Sequence, residues 1–212
     1  MNNIKNNESL LKEYNQKYGT KIEDNKVKEI NLLRHLIQND QLKDLCKIEF
    51  IELEILNLKE NNISDITALE NVKFNKLKIL NLDKNEISDI SSLEKVNFPE
   101  LKELRLFNNK ISDINVLGKV KFIKLEVLDL NLNKISDISV FKKGNFKELR
   151  KLYLNGNNIT DIKVFEQAEL NKLEELYLFD NGIDTEENED LIDNLKIKIK
   201  DLYIDNDDTL YT

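Results

Sequence analysis

The chain has 212 residues, of which 34% are charged, and its formal net charge is −8. A single cysteine, Cys46, excludes a disulfide framework and a cysteine-based metal site, and a single histidine, His35, disfavours a serine or cysteine nucleophile with a histidine base. The sequence has no G-x-x-x-x-G-K motif and no H-E-x-x-H motif, so we expect no enzyme, no cofactor and no metal.

No apolar run is long enough to span a bilayer, and the opening stretch MNNIKNNESLLKEY lacks the hydrophobic core of a secretory signal. The lone cysteine suits a reducing compartment. We therefore expect a cytoplasmic protein with no membrane partner.

The first predicted element is a short helix from Asn7 to Gly19. Its apolar residues fall on one side of the helix: Leu10, Leu11, Tyr14 and Tyr18. We expect residues 1–26 to form a helical cap over the open end of the segment that follows.

The second element is an irregular unit of 26 residues that begins at Val27. Its other apolar residues are Ile30, Leu32, Leu42, Leu45, Ile48 and Phe50. His35 stands where later units carry an asparagine, so we interpret it as a structural substitute. Cys46 is interpreted as a small buried residue.

From residue 53 the chain becomes a regular repeat of 24 residues, and positions are counted from the first leucine of each unit. Positions 4 and 6 alternate with polar residues as in a strand, and positions 11 to 20 carry an apolar residue at every third place, as in a 3₁₀ or short α segment. Such units cannot bury their apolar sides alone, so they must stack into a curved solenoid with a parallel sheet along one face. The first leucines are Leu53, Leu77, Leu101, Leu125, Leu149 and Leu173.

Three further columns recur in the units, and each has a structural interpretation. The asparagine side chains are expected to form hydrogen bonds with backbone groups where the strand bends away. The aspartates, which follow Ser or Thr, are expected to supply N-cap oxygens, and the phenylalanines to belong to the core. The columns are Asn61, Asn85, Asn109, Asn133, Asn157 and Asn181; Asp65, Asp89, Asp113, Asp137 and Asp161; and Phe50, Phe74, Phe98, Phe122 and Phe146.

These units resemble the leucine-rich repeat superfamily. Their N-x-I-S-D-I-x-x-L segments, at 61–69, 85–93 and 109–117, are most similar to the phosphatase-regulator and internalin types. The resemblance covers residues 53 to 183. It implies an α/β solenoid with a parallel sheet on the concave face and short 3₁₀ or α returns on the convex face.

Downstream, Ile199, Leu202 and Ile204 predict a last strand, which gives eight strands in all. We expect one structural domain: the cap, repeats at 27–198, and a terminal strand with an acidic tail at 199–212. The run from Asp205 to Asp208 lacks the central glycine and distal glutamate of an EF-hand, so we interpret it as a solvated turn.

The negative charge is concentrated at the C-terminal end. Residues 174–212 contain thirteen acidic residues and three lysines, a net charge of −10, which leaves +2 for residues 1–173. This distribution disfavours direct nucleic-acid binding, which needs a basic stripe, and would attract a basic protein. A purely solubilising cap explains the same charge.

Residues that the repeat does not demand lie at the outward strand positions 3, 5 and 7. Three consecutive units carry Tyr153, Tyr177 and Tyr203 at position 5, with Phe179 two residues beyond Tyr177. Cross-strand stabilisation explains such a cluster, and so does an interface, where Tyr and Phe are common anchors. We predict an interface with a polar rim, and a second anchor nearby. The rim residues are Arg105, Lys151, Glu175 and Asp201, and the second anchor is Phe107 with Arg105.

The leading hypothesis is a non-enzymatic, monomeric module that binds another protein on its concave face. The alternative is an acidic stoichiometric inhibitor, or immunity-type protein, that blocks a basic enzyme such as a nuclease. An extracellular adhesin is less favoured, because the chain carries neither a signal peptide nor a sortase motif.

Overall fold

The computed structural model describes residues 6–204 and contains eight short strands joined by helical returns. The strands are β1 (Glu29–Asn31), β2 (Ile55–Asn57), β3 (Ile79–Asn81), β4 (Glu103–Arg105), β5 (Val127–Asp129), β6 (Lys151–Tyr153), β7 (Glu175–Tyr177) and β8 (Asp201–Tyr203). The α-helices are α1 (Asn7–Tyr18), α2 (Asn39–Leu45), α3 (Val140–Lys143) and α4 (Glu189–Lys198), and 3₁₀ segments span Thr67–Asn71, Ser91–Glu94, Asn115–Gly118 and Lys163–Glu166.

All eight strands form one open parallel sheet in chain order. Each strand pairs with the next at the same repeat position, so that Leu56 faces Leu80 and Leu80 faces Leu104. From β2 to β7 the 24-residue period is therefore the distance along the chain from one strand to its neighbour, and at both ends of the sheet the distance is 26 residues. The predicted α/β solenoid with eight strands is confirmed.

The core runs along the solenoid between the sheet and the returns. From β2 to β7 the inward residues at positions 4 and 6, such as Leu104 and Leu106, are fully buried, whereas Leu202 and Ile204 at the last strand are partly buried. The phenylalanine column is buried as predicted, and the ring centroids of Phe74 and Phe98 lie 6.2 Å apart. Each such side chain contributes roughly 1.5–3 kcal/mol by leaving water, which stabilises the stack without any cofactor.

The asparagine column forms the predicted ladder between coils. Asn85 Oδ1 accepts the Ile63 amide at 3.0 Å, and Asn85 Nδ2 donates to the carbonyl oxygens of Leu58 and Leu82, both at 3.0 Å. One buried side chain thus serves two neighbouring coils. His35 stands at the same position in the first coil, but it is exposed, and its Nδ1 lies 2.9 Å from the Leu33 carbonyl oxygen.

The aspartate column starts the returns, although not from the N-cap position itself. Asp89 Oδ1 accepts the Ser91 amide at 2.7 Å, while the N-cap residue is Ile90, whose side chain cannot accept. The same contact joins Asp113 to Asn115 at 2.8 Å. Each carboxylate therefore closes a turn of the type that Asp favours just before the helical segment.

Helix α1 covers the first coil, as predicted. Leu11 and Tyr14 are buried, and Gly19 ends the helix with a φ of 65°. The Tyr18 hydroxyl donates to Asp44 Oδ2 at 2.6 Å, which ties the cap to α2. Cys46 packs partly buried against the core, and burial raises the pKa of its thiol to about 12.

Position 8 of each unit adopts a left-handed backbone conformation that the sequence pattern did not predict. The φ values are 57° at Arg34, 54° at Glu60, 51° at Lys84, 52° at Asn108, 51° at Leu132, 66° at Gly156 and 53° at Asp180. This bend turns the chain from the sheet into the return.

Within residues 6–204, no helix has the length and apolarity needed to cross a membrane. The run from Asp205 to Asp208 lies outside the described residues.

Candidate protein-binding surface

The outward surface of the sheet, hereafter the open face, consists of positions 3, 5 and 7 of each unit. These side chains point away from the buried leucines because residues alternate across a strand. The parallel register places equal positions of neighbouring units side by side. The open face therefore consists of three columns of side chains, and each column changes in character along the solenoid.

Three tyrosines form a continuous row at position 5 of β6, β7 and β8. The ring centroids of Tyr153 and Tyr177 lie 4.9 Å apart and those of Tyr177 and Tyr203 4.6 Å apart, both pairs in an edge-to-face arrangement. The Phe179 ring lies 6.2 Å from that of Tyr177. Tyr153, Tyr177, Tyr203 and Phe179, hereafter the aromatic row, cover one another and are half-buried rather than freely exposed.

Three residues of the predicted polar rim, Lys151, Glu175 and Asp201, lie beside the row at position 3 and are paired within the chain. Lys151 Nζ lies 2.6 Å from Glu175 Oε1, and the Tyr153 hydroxyl donates to Glu175 Oε2 at 2.5 Å. Partial burial acts to raise the pKa of Glu175, but these two contacts outweigh it and lower the pKa. The Asp201 carboxylate lies 3.7 Å from Lys200 Nζ. The contacts of Glu175 with Lys151 and with the Tyr153 hydroxyl hold Tyr153 and Glu175 in place.

The predicted second anchor lies on β4 and just beyond it. Arg105 turns toward its own strand, where Nε and Nη2 donate to Glu103 Oε2 at 3.1 and 2.8 Å. Phe107 is half-buried, and its amide donates to Asp83 Oδ1 at 3.0 Å. Strand β5 separates this pair from the aromatic row, so the structure does not merge the two groups into one cluster.

Asp129 of β5 lies between Arg105 and Tyr153 in the register of the sheet. Burial raises the pKa of Asp129 to about 6, although a hydrogen bond from the Asn131 amide to Oδ1, at 3.1 Å, opposes the effect. The nearby Asp83 carboxylate raises that pKa further. Asp83 is itself buried, and burial raises its pKa as well.

The open face as a whole is acidic. Over the described residues it carries six carboxylates and three cations, a formal charge of −3. The carboxylates belong to Glu29, Asp83, Glu103, Asp129, Glu175 and Asp201, and the cations to Lys59, Arg105 and Lys151.

Sequence reasoning missed two features of this surface. Asp129 occupies position 5 of its unit, but the sequence pattern does not predict its burial, because burial depends on how the neighbouring side chains turn. Leu132, which is 43% exposed at a positive φ, lies over Gly156, and a β-carbon added at Gly156 would lie 2.3 Å from Leu132 Cδ2. The glycine at position 8, where the other units carry larger residues, was the signal for this close approach.

Comparison with known proteins agrees with this architecture. The family model "Leucine Rich repeats (2 copies)" matches residues 99–143 and 147–202. No curated protein sequence matches the chain. The fold is that of a leucine-rich repeat solenoid, and the family match covers 101 of the 212 residues.

Solved structures with the same fold include two internalins from Listeria monocytogenes str. 4b F2365. Internalin inlF is 25% identical with a TM-score of 0.56 over 79% of this chain, and the chain spans 58% of its length. Internalin C2 (inlC2) is 22% identical with a TM-score of 0.60, and the match covers 93% of this chain and 91% of that one. A PEPR1–AtPEP1 structure is 24% identical with a TM-score of 0.54, covering 72% of this chain and 21% of that one.

Proposed function

We propose that the chain is a non-enzymatic binding module whose aromatic row contacts a protein partner on the open face of β6, β7 and β8. The observation that carries this proposal is the row itself. Strands β1, β2 and β3 carry asparagine at position 5, so the fold does not require an aromatic residue there. The repeat pattern therefore does not explain why three consecutive units carry tyrosine at this position.

The chemistry of the row suits a protein interface. Tyrosine and phenylalanine offer large contact areas with few rotatable bonds, and such residues dominate the binding energy of many interfaces. The edge-to-face contacts and the bond from Tyr153 to Glu175 restrict the rings before a partner arrives. Little side-chain entropy is then lost on binding.

Similar structures are consistent with this role by analogy of fold alone. PEPR1 was solved with AtPEP1, so at least one protein with this fold was solved together with a partner. The partner of the present chain is inferred from its own surface.

The test is a quantitative pull-down from the lysate of the source organism or its host. The intact chain is compared with a variant in which the four residues of the aromatic row are alanine. We expect a partner that binds the intact chain and loses at least about a hundredfold in affinity with the variant, because several hot spots are removed together. A partner that binds both proteins equally would exclude the aromatic row as the site.

Two controls separate loss of binding from loss of folding. In the first, the three tyrosines become asparagine, the residue that β1, β2 and β3 carry at the same position, so the variant should remain folded. In the second, three exposed isoleucines away from the open face become alanine, and partner binding should not change. These isoleucines are Ile51, Ile123 and Ile197.

An inhibitor of a basic enzyme is the second candidate, and the charge favours it. Six acidic residues lie in and before α4, on the return from β7 to β8, which separates them from the open face. They are Asp184, Glu186, Glu187, Glu189, Asp190 and Asp193. Partner binding that falls steeply with ionic strength and survives loss of the aromatic row would support this candidate.

The cytoplasmic location, the monomeric state, and the treatment of residues 1–26, 27–198 and 199–212 as parts of one domain remain predictions.

A further inference from the structure

Asp129 has a charge that its structural role does not need. Its Oδ1 accepts the amide of the residue two positions on, at 3.1 Å. Asn57 and Asn81 make the same contact in β2 and β3, at 3.1 and 2.9 Å. An amide side chain therefore performs this task elsewhere in the sheet, and asparagine at position 129 would avoid burying a carboxylate.

The Asp129 carboxylate also has no ion-pair partner among residues 6–204. Arg105 is its neighbour across the sheet, but the guanidinium makes both of its contacts with Glu103. Lys59 Nζ lies 3.8 Å from Asp83 Oδ2 and forms an ion pair with that carboxylate. Arg105 and Lys59 lower the pKa of Asp129 without direct contact, but the cost of burial outweighs them, so a cation from outside the chain in direct contact would reduce that cost.

We propose that Asp129 and the adjacent Tyr153 ring bind an arginine side chain of the protein partner. Arginine fits better than lysine, because its planar guanidinium is weakly hydrated, forms paired hydrogen bonds with a carboxylate and stacks on aromatic rings. Tyr153 faces Asp129 directly in the sheet register, and its hydroxyl is already bound to Glu175, so the ring is held beside the carboxylate. The charge of −3 on the open face favours a cation at this place over an anion.

This inference rests on the proposed function, which has the partner bind on the open face. It adds the chemical group that the partner supplies. The aromatic row then provides the apolar contacts, and Asp129 at its border selects a cationic side chain. Partners without a cation at that place would leave the carboxylate buried and unpaired, which penalises them.

The experiment uses two small probes that differ mainly in charge: N-acetyl-arginine N-methylamide and N-acetyl-citrulline N-methylamide. The full chain carries ¹³C-labelled aspartate and tyrosine, and NMR follows the Asp129 carboxyl carbon and the Tyr153 ring during titration. We expect the arginine probe to shift both signals and to bind about tenfold more tightly than the citrulline probe. Equal affinities, or shifts confined to other residues, would overturn the inference.

Two variants locate the effect. Asp129→Asn keeps the backbone hydrogen bond and should abolish the preference for arginine. Glu29→Gln removes an exposed carboxylate from the open face at the other edge of the sheet, on β1, and should leave the preference unchanged. An equal loss in both variants would indicate general attraction to an acidic surface and would overturn the assignment to Asp129.

Failure here is distinguishable from failure of the proposed function, because the titration uses no partner. Equal affinities for the two probes would leave the aromatic row as a candidate interface. A preference for arginine in the intact chain would stand even if the pull-down showed that the partner binds elsewhere.

Discussion

At position 5 of the strands, an amide and a carboxylate make the same backbone hydrogen bond but differ in charge. Asn57, Asn81 and Asp129 all accept the amide two residues on. Of these three side chains, only that of Asp129 can ionise, and burial makes its ionised form less favourable. The backbone hydrogen bond therefore does not explain why this position carries Asp instead of Asn, and the charge should have a measurable effect on stability.

The first prediction is that Asp129→Asn stabilises the protein at neutral pH. Burial raises the pKa of Asp129 from an ordinary 3.8 to about 6, so the native state holds this proton more tightly than the unfolded state does. Its stabilising contribution is present below about pH 4 and is lost as the pH rises through about 6. The variant, which does not titrate there, should gain roughly 1–3 kcal/mol relative to the parent across this window.

Urea unfolding of both proteins between about pH 4 and pH 7 measures the difference. The surrounding charges of Asp83, Glu103, Arg105 and Lys59 are present in both proteins, so most of their own titration cancels. A difference that stays constant with pH, or a variant less stable at neutral pH, would contradict the account.

The second prediction concerns Gly156, whose backbone has a φ of 66° beneath the Leu132 side chain. Gly156→Ala should cost about 1–2 kcal/mol from the left-handed backbone, plus the displacement of Leu132. Gly19→Ala is the comparison, because Gly19 has a φ of 65° and nothing within 4 Å of an added β-carbon. Equal losses of unfolding free energy in the two variants would mean that Leu132 moves aside at no cost.

At the scale of the repeated element, spacing alone predicted most of the structure. The strand, the buried leucines, the phenylalanine stack and the asparagine ladder each depend on a residue type that returns at a fixed position. The left-handed position 8 escaped prediction because its occupants, from Arg34 and Glu60 to Leu132, share no chemistry. The aspartates were correctly associated with the start of the returns, but the turn that they close begins one residue earlier than a standard N-cap.

The third prediction tests the ladder. Asn109 is buried and accepts the Ile87 amide at 3.0 Å while donating to the carbonyl oxygens of Leu82 and Leu106 at 3.0 and 3.1 Å. Asn109→Ala leaves these groups unpaired, so the free energy of unfolding should fall by about 3 kcal/mol. The exposed neighbour Lys110 makes only a surface ion pair, and Lys110→Ala should change stability by less than about 1 kcal/mol. Similar losses in both variants would rule out a special role for the ladder.

At the scale of the whole molecule, the backbone hydrogen bonds between coils in residues 6–204 join neighbouring coils. The stability of such a solenoid is the sum of coil terms and neighbour terms. The fourth prediction follows: deleting residues 77–100, one full unit, joins equivalent positions and should leave a shorter folded protein. Urea unfolding should stay cooperative, and the slope of the unfolding free energy against urea concentration should fall by roughly an eighth.

Deleting residues 77–88, half a unit, is the matched control. This deletion puts the following strands out of register, and cooperative unfolding should be lost. Because the full-unit deletion spares β6, β7 and β8, it should also keep partner binding. Loss of cooperativity in both deletions would contradict the modular account.

The candidate site was predictable only in part. The sequence identified which residues reach the open face, because strand alternation decides it. It did not reveal that the tyrosines are half-buried against one another, nor that Arg105 turns to Glu103 rather than to Asp129. Those outcomes depend on side-chain rotamers in the assembled sheet, which a linear pattern does not encode.

The most direct test of the central claim is side-chain footprinting of the chain with the partner recovered in the pull-down. Hydroxyl radicals modify accessible tyrosine rings, so the labelling of Tyr153, Tyr177 and Tyr203 is compared with and without the partner, with the exposed Ile123 as a reference. The account predicts that the three rings become protected while Ile123 is labelled as before. Unchanged labelling of the rings, with protection elsewhere on the chain, would contradict it.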